Sequence, residues 1–311
     1  MKVCRGLVST LLCRVFVISL VWNTIVVNSL SGQQQQQHKK RPRIPILQYH
    51  DDWVCVDKPS GITVHRGNGF PRNKPVLTSR VKRQLSRKVF PVHRLDHRTS
   101  GVMLFAFDST TAGILHDAAI RKGQKEYLAL VRGHWKRDES VVFVDKPLVV
   151  KGIEKEALTK FTLLGTVKGE TSQTDNEDDA TAPTSSCSLL LCEPLTGRTH
   201  QIRRHAYSLG HPILGDTQHG DSRANRYWRK RKLNRLALHC STVSFELDGT
   251  RHECHAPLPS RLKGILQSLP LWEEANRHRP SLALDAFDMI DGTHGRSYRK
   301  RLLEQNKENN E

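Results

Sequence analysis

The 311-residue chain holds 49 lysines and arginines against 31 acids, a formal net charge of +18, with 37% apolar and 26% charged residues. This balance excludes a membrane-spanning chain, leaves room for one large domain or two small ones around a real core, and favours a polyanionic partner such as nucleic acid. Seven cysteines, an odd number with no C-x-x-C spacing, argue against both a disulfide framework and a structural zinc site.

Before Asp51 there is no acid but there are seven lysines and arginines; subtracting those seven from +18 leaves +11, so the body is basic without its leader. Residues 15–27 form a mostly apolar run broken by Ser19, Asn23 and Thr24. It is shorter than the roughly 20 residues a membrane helix needs, and with Lys2, Arg5 and Arg14 ahead of it the pattern is that of a cleavable signal-like segment. The polar stretch "SGQQQQQHKKRPRIP" continues it as a linker or second targeting element. A secretory signal and an organelle leader both fit, and a simple membrane anchor is disfavoured because Arg14 splits the apolar stretch.

From Ile46 short apolar segments alternate with turn signals. "WVCVDKPSG" predicts a strand over residues 53–56, stopped by Pro59 and turned at Ser60 and Gly61. Residues 102–107 are a continuous apolar run of strand length, expected to be buried on both faces. "KEYLALV" and "SLLLC" predict two more strands. "TGRTHQIRRHAYSLGHP" predicts a helix, capped by Thr199, with Ile202, Ala206 and Leu209 on one face and an end at Gly210 and Pro212. Strands in runs with few helices between them indicate an α+β fold around a mixed sheet. Residues 167–186 lack large apolar side chains and are expected to be a disordered acidic insert between two strands. After about His278 periodicity is lost, which predicts a frayed tail over 278–311.

The chemistry-bearing stretch is "PVHRLDHRTSGVMLFAF", where one carboxylate, Asp96, stands among His93, Arg94, His97 and Arg98 at the mouth of the apolar run. Desolvation there favours the neutral acid, so an ionised Asp96 needs a cationic partner. Arg198 and Arg203, around the start of the predicted helix, are the two candidates. A partly desolvated carboxylate held ionised serves as nucleophile or base at an electrophilic sugar carbon. Taken alone, Asp96 also fits a helix cap or surface ion pair, Tyr127 a core aromatic, and Arg198 and Arg203 plain phosphate contacts. His93 and His97 are read as structural or surface residues. His252, Cys254 and His255 lack a partner pair and are set aside as metal ligands.

"HRLDHRTSG" resembles the signature loop of the RluA-type pseudouridine synthases, and "DKPSGITVH", "KEYLALVRG", "TGRTHQIRRHAYSLGHPILGD" and "RLALHCSTVSF" match the same family in the right order. The resemblance spans about residues 46–269, and "GDTQHGDSRANR", with His219 where many members have tyrosine, is most similar to the tRNA-modifying TruC branch. It implies a pseudouridine synthase fold, α+β with a mixed, mostly antiparallel sheet, flanking helices and a central RNA-binding cleft. Asp96 matches the catalytic aspartate, Arg203 the arginine that pairs with it, Tyr127 the tyrosine that packs on the target ring, and Arg94 the side chain that fills the space of the extruded base. Arg198, Lys58, Thr99 and His239 fall in matching motifs and are expected to contact RNA. "RYWRKRKLNR" is expected to add a basic RNA contact in which Tyr227 and Trp228 stack on bases.

The implied activity is isomerisation of uridine to pseudouridine in RNA, tRNA before rRNA, by a monomer with no cofactor and no metal. The rival readings are a non-catalytic RNA-binding or chaperone protein of the same fold and a nucleoside hydrolase. The expected organisation is a targeting leader and linker over 1–44, a catalytic domain over 45–277 and the tail. With no room upstream for a small RNA-binding S4 domain, substrate choice is expected to lie in the catalytic domain. An RNA enzyme has no obvious substrate in the secretory lumen, so a plastid or mitochondrion is the expected location.

Overall fold

A computed structural model describes residues 42–66, 76–135, 140–169 and 185–283. The leader before residue 42, most of the acidic insert and the tail beyond residue 283 lie outside the described residues.

Among the described residues twelve strands and six α-helices follow in chain order. They are β1 (Ile46–Tyr49), β2 (Trp53–Lys58), α1 (Leu77–Leu85), β3 (Phe90–Pro91), β4 (Ser100–Ala106), α2 (Ser109–Leu115), β5 (Gln124–Arg132), β6 (Val141–Asp145), β7 (Leu148–Val150), β8 (Ile153–Lys155), β9 (Leu158–Val167), β10 (Cys187–Pro194), α3 (Gln201–Ser208), α4 (Ser222–Lys230), β11 (Leu238–Leu247), β12 (Thr250–His255), α5 (Ser260–Gln267) and α6 (Leu271–His278). One ten-stranded sheet runs β1-β2-β4-β11-β5-β10-β9-β6, with β12 beside β11 and β3 beside β4; β7 and β8 pair separately. Among the described residues only β4 and β11 pair in parallel; every other ladder is antiparallel.

The apolar run after Asp96 becomes β4, all seven of whose residues are buried. Val102, Met103, Leu104 and Phe105 are each 0% exposed, and burial of side chains this size contributes roughly 1.5–3 kcal/mol apiece. The strand is flanked by β2 and β11, so both of its edges are hydrogen-bonded. At the parallel contact Gly101 has φ +116 and a Cβ there would sit 2.0 Å from the Cys240 carbonyl oxygen, so only glycine lets β4 and β11 approach.

Two apolar clusters form the core. One gathers β2, β4 and α1 with part of β11; the other gathers β5, β9, β10 and helices α3 to α6. Tyr127 on β5 packs against both. The insert connects β9 to β10, which pair antiparallel from Val167 and Cys187 outward.

The start of α3 departs from expectation. Thr199 does not cap it: His200 occupies the cap position without a side-chain cap bond, in the left-handed region at φ 54. The Gln201 side chain closes the turn instead, accepting from Arg198 N at 2.9 Å and Thr196 Oγ1 at 2.8 Å and donating to Leu158 O at 2.9 Å. Ile202 and Ala206 face the core as the periodicity predicts, and Gly210 follows the helix at φ +76.

Candidate active site

A cavity of about 280 Å³ opens where three chain segments meet: the loop entering β4, strand β5, and the turn between β10 and α3. Asp96, Arg94 and Thr99 come from the first, Tyr127 and Lys125 from the second, Arg198 and His200 from the third, and Arg203 from the start of α3 itself. The two segments that supply Asp96 and Arg203 are 107 residues apart, yet Arg203 Nη1 donates to Asp96 Oδ2 at 3.0 Å. The Asp96 side chain keeps 25% of its surface exposed and Arg203 only 8%. Of the two candidate arginines, the partner is therefore Arg203. Arg198 also lines the cavity, but its Nε donates to the Glu156 carbonyl at 2.8 Å.

Behind the pair stands Asp216, whose side chain is 0% exposed. It takes Arg203 Nε at 2.6 Å and Nη2 at 2.8 Å, a bidentate grip that leaves Nη1 for Asp96. Gln218 Oε1 accepts from Nη2 as well, at 3.0 Å. Burial raises the Asp216 pKa, but Arg203 and the backbone N–H groups of Gln218 and His219 outweigh it and hold the carboxyl down at about 2. Burial lowers the Arg203 pKa and its two carboxylates more than restore it, so the guanidinium is fixed as a cation. The stretch "HPILGD" contained Asp216, but an acid after a glycine gives no sign that it faces an arginine 13 positions back. Gly215 is the visible trace: at φ +78 a Cβ would meet the Arg235 carbonyl oxygen at 1.9 Å.

Tyr127 sits partly buried on β5, opposite Cys240 of β11 and Cys192 of β10. Burial, reinforced by Cys240 and Asp96, pushes the phenol pKa well above its ordinary value, so Tyr127 acts as a neutral ring and O–H donor. Thr99 is 2% exposed and lines the cavity, and its buried Oγ1 has no hydrogen-bond partner among the described residues. Arg94 is exposed at the cavity rim. A carboxyl group paired with a fixed cation, beside a flat ring around one small cavity, suits a nucleoside turned out of its helix.

The RNA pseudouridylate synthase family profile matches residues 52–208. The chain belongs to that family. Ribosomal large subunit pseudouridine synthase C of Escherichia coli is 36% identical over 230 residues, 72% of this chain and 70% of the relative. tRNA pseudouridine synthase C of Vibrio parahaemolyticus is 35% identical over 218 residues, 66% of this chain and 86% of the relative. Among solved structures, human RNA pseudouridylate synthase domain containing 1 superposes with a TM-score of 0.53 at 25% identity, over 70% of this chain and 86% of that one.

In this pseudouridine synthase two expected RNA contacts lie elsewhere. Lys58 is 0% exposed and its Nζ donates to the carbonyls of Thr99 at 2.6 Å, Pro59 at 3.2 Å and His97 at 3.3 Å. With Ser60 Oγ on the Arg98 carbonyl and Gly61 N on the His97 carbonyl, the DKPSG segment clamps the loop that carries Asp96. Burial, with help from Arg235, brings the Lys58 pKa down to about 7 against the pull of Asp96 and Asp57. His239 is likewise 0% exposed, bonded to Ser100 Oγ at 2.8 Å and the Ala256 carbonyl at 3.1 Å. Neither side chain is open to solvent; they hold the loop that carries Asp96, and β4 after it, from behind. Trp228 is a further correction: at 1% exposure it is a core anchor of α4, while Tyr227 carries Arg231 over its ring at 4.0 Å. His93, read as structural, accepts from Leu104 N at 3.2 Å and pins the loop to β4.

Of the three residues weighed as metal ligands, Cys254 Sγ contacts Gln48, His252 stacks on Phe245, and His255 pairs with Glu253. Among the described residues no group of three or more His, Cys, Asp or Glu is placed to hold a metal ion.

His239 has a measurable consequence for stability. Burial, then Arg235, depress its pKa to about 4, partly opposed by the Ala256 carbonyl. Between pH 4 and 6.5 the unfolded chain then binds more protons at this position than the folded one, so acidification through that window destabilises the fold. Asp57, raised to about 6 by burial against the pull of Arg235 and Lys58, works with the opposite sign, which makes a comparison of slopes the clean measurement. Unfolding free energies from urea titrations are expected to fall less steeply on acidification from pH 7 to 4 for His239→Gln than for the wild type, by about 3 kcal/mol over the window. Parallel slopes would remove His239 from the acid sensitivity.

Proposed function

We propose that the preferred substrate is a uridine in tRNA, modified inside a plastid or mitochondrion by a monomeric catalytic domain over about 45–277 after removal of the leader. The single observation that supports the chemistry is the Asp96–Arg203 contact in the cavity wall. In the isomerisation the N1–C1′ bond breaks, uracil turns while held, and a C5–C1′ bond forms; C5 gives up its proton and N1 ends with one. Atoms and electrons balance within the nucleotide, so the reaction calls for no redox group and no co-substrate. Asp96 serves either as nucleophile at C1′ or as base at C2′, and both routes use its carboxylate. Tyr127 supplies the face against which the base turns.

The target must leave its helix, which costs a few kcal/mol of stacking and pairing. Basic surface beside the cavity offsets that cost through phosphate contacts. Arg98 Nη1 donates to Thr217 Oγ1 at 3.1 Å, tying the catalytic loop to the segment that leads into α4. Asn225 of α4 holds the same segment through Gly215 N and Asp216 O, both at 2.6 Å. Arg226, Arg229, Lys230, Arg231 and Lys232 are exposed on that helix and its end, a stripe suited to an RNA backbone.

The preference for tRNA rests on coverage. The chain spans 86% of the tRNA-named relative but 70% of the ribosomal one, at nearly equal identity. Mapping pseudouridines in RNA fractionated by compartment, with and without the gene, tests substrate and location together. Loss at a tRNA uridine in the organellar fraction is expected. Loss in ribosomal RNA would replace the substrate, and loss confined to cytosolic RNA would overturn the location.

A further inference from the structure

His200 stands between two groups the mechanism above leaves unused on its side. Its Nε2 lies 3.8 Å from Asp96 Oδ1, and its Nδ1 is 3.2 Å from Nε2 of His219. The ring is held there by a backbone in the left-handed region at φ 54, a conformation that costs a non-glycine residue of order 1 kcal/mol and gathers at functional positions. His219 is anchored in turn: its backbone N–H donates to Asp216 Oδ1 at 3.1 Å, the same carboxylate that grips Arg203.

We propose that His219 is a positioning residue: its Nε2–H donates to His200 Nδ1, fixes His200 as the Nε2–H tautomer, and thereby turns an N–H toward Asp96 Oδ1. The carboxylate is then addressed on both oxygens, by Arg203 at Oδ2 and by His200 at Oδ1. The opposite proton placement, His200 Nδ1–H donating to His219, would leave the His200 Nε2 lone pair facing a carboxylate, which is repulsive. One shared proton between the rings therefore decides which face His200 shows to the catalytic acid.

The charged and titratable surroundings favour two neutral rings. Around His200, burial and the Arg203 and His219 neighbours push the pKa down while Asp96 and Asp216 pull it up, and the net direction is down. Around His219, burial, Arg203 and Arg204 outweigh Asp216 and Asp96 in the same direction. Two neutral imidazoles carry one N–H each, so the pair has a definite tautomer to read. Tyrosine at this position would carry an O–H donor; phenylalanine does not.

The inference rests on the pseudouridine synthase activity for its kinetic arm only. Long-range ¹H–¹⁵N correlation spectra of the histidine-labelled full chain at neutral pH are expected to show His200 as the Nε2–H tautomer in the wild type. They are expected to show a mixed or reversed state in His219→Phe. In turnover assays His219→Phe is expected to lose about tenfold in kcat with KM within about twofold, while His219→Tyr or His219→Gln restores kcat to within about threefold. A wild-type His200 protonated at Nδ1 alone would overturn the proposal whatever the kinetics. So would a phenylalanine variant as active as the wild type, or tyrosine and glutamine variants as poor as phenylalanine.

Discussion

Asp96→Asn is expected to abolish pseudouridine formation, a loss on the order of a thousandfold or more, while RNA binding stays within a few fold of wild type. The amide keeps the volume of the acid and can still accept from Arg203 Nη1, so the cavity wall is preserved. What disappears is the negative charge, and with it any attack on C1′ or proton removal from C2′. Binding survives because it draws on phosphate contacts from the basic surface, and removing an acid from that surface does not weaken them. Single-turnover conversion of uridine-labelled RNA, read by mass spectrometry beside a filter-binding isotherm, checks both halves. Equal product from variant and wild type would take Asp96 out of the mechanism. Free uracil from the wild type would point to hydrolysis, and tight binding without product would leave a non-catalytic RNA-binding protein.

The second large effect belongs to Arg203, which bridges two carboxylates with three of its donors. Arg203→Ala leaves Asp96 and Asp216 facing the same void without a cation, and breaking a buried pair of this kind costs about 3–5 kcal/mol. Turnover is expected to fall by at least about a hundredfold and the thermal midpoint to drop. Arg203→Lys is expected to recover part of the stability and little of the turnover, because an ammonium cannot grip Asp216 with two parallel bonds and still reach Asp96. Asp216 adds a pH signature. Its folded pKa of about 2 lies below the ordinary value of 3.8, so its contribution is complete above pH about 4 and fades as pH falls towards 2. The stability gap between wild type and Arg203→Ala is therefore widest at neutral pH and narrows below pH 3. Unchanged turnover at pH 7 in the alanine variant would rule out the pairing.

Much of this was readable along the chain because it follows from local chemistry. A six-residue apolar run with no charge, too short for a helix of ordinary length and bounded by turn signals, fits a buried strand, and most of it became β4, hydrogen-bonded on both edges. Ile202 and Ala206, spaced at i and i+4, had to share the buried face of a helix. An acid at the entrance of such a strand required a cation, and the ordered set of motifs named the family and its aspartate, tyrosine and arginine.

Tertiary structure alone decided which group meets which. Composition cannot tell a lysine that touches phosphate from one that is sealed beneath a loop; Lys58 proved to be the latter because β2 runs beside β4 and delivers its ammonium to three loop carbonyls. The grip of Asp216 on Arg203 and the His200–His219 contact depend on the segment after β10 folding back towards a loop far away in sequence. Such contacts leave no periodicity and no spacing rule, since the distance along the chain carries no information about the distance through space. Sequence therefore specified the chemistry available to this protein, and the packing of β4, β5 and α3 around one cavity specified how that chemistry is aimed.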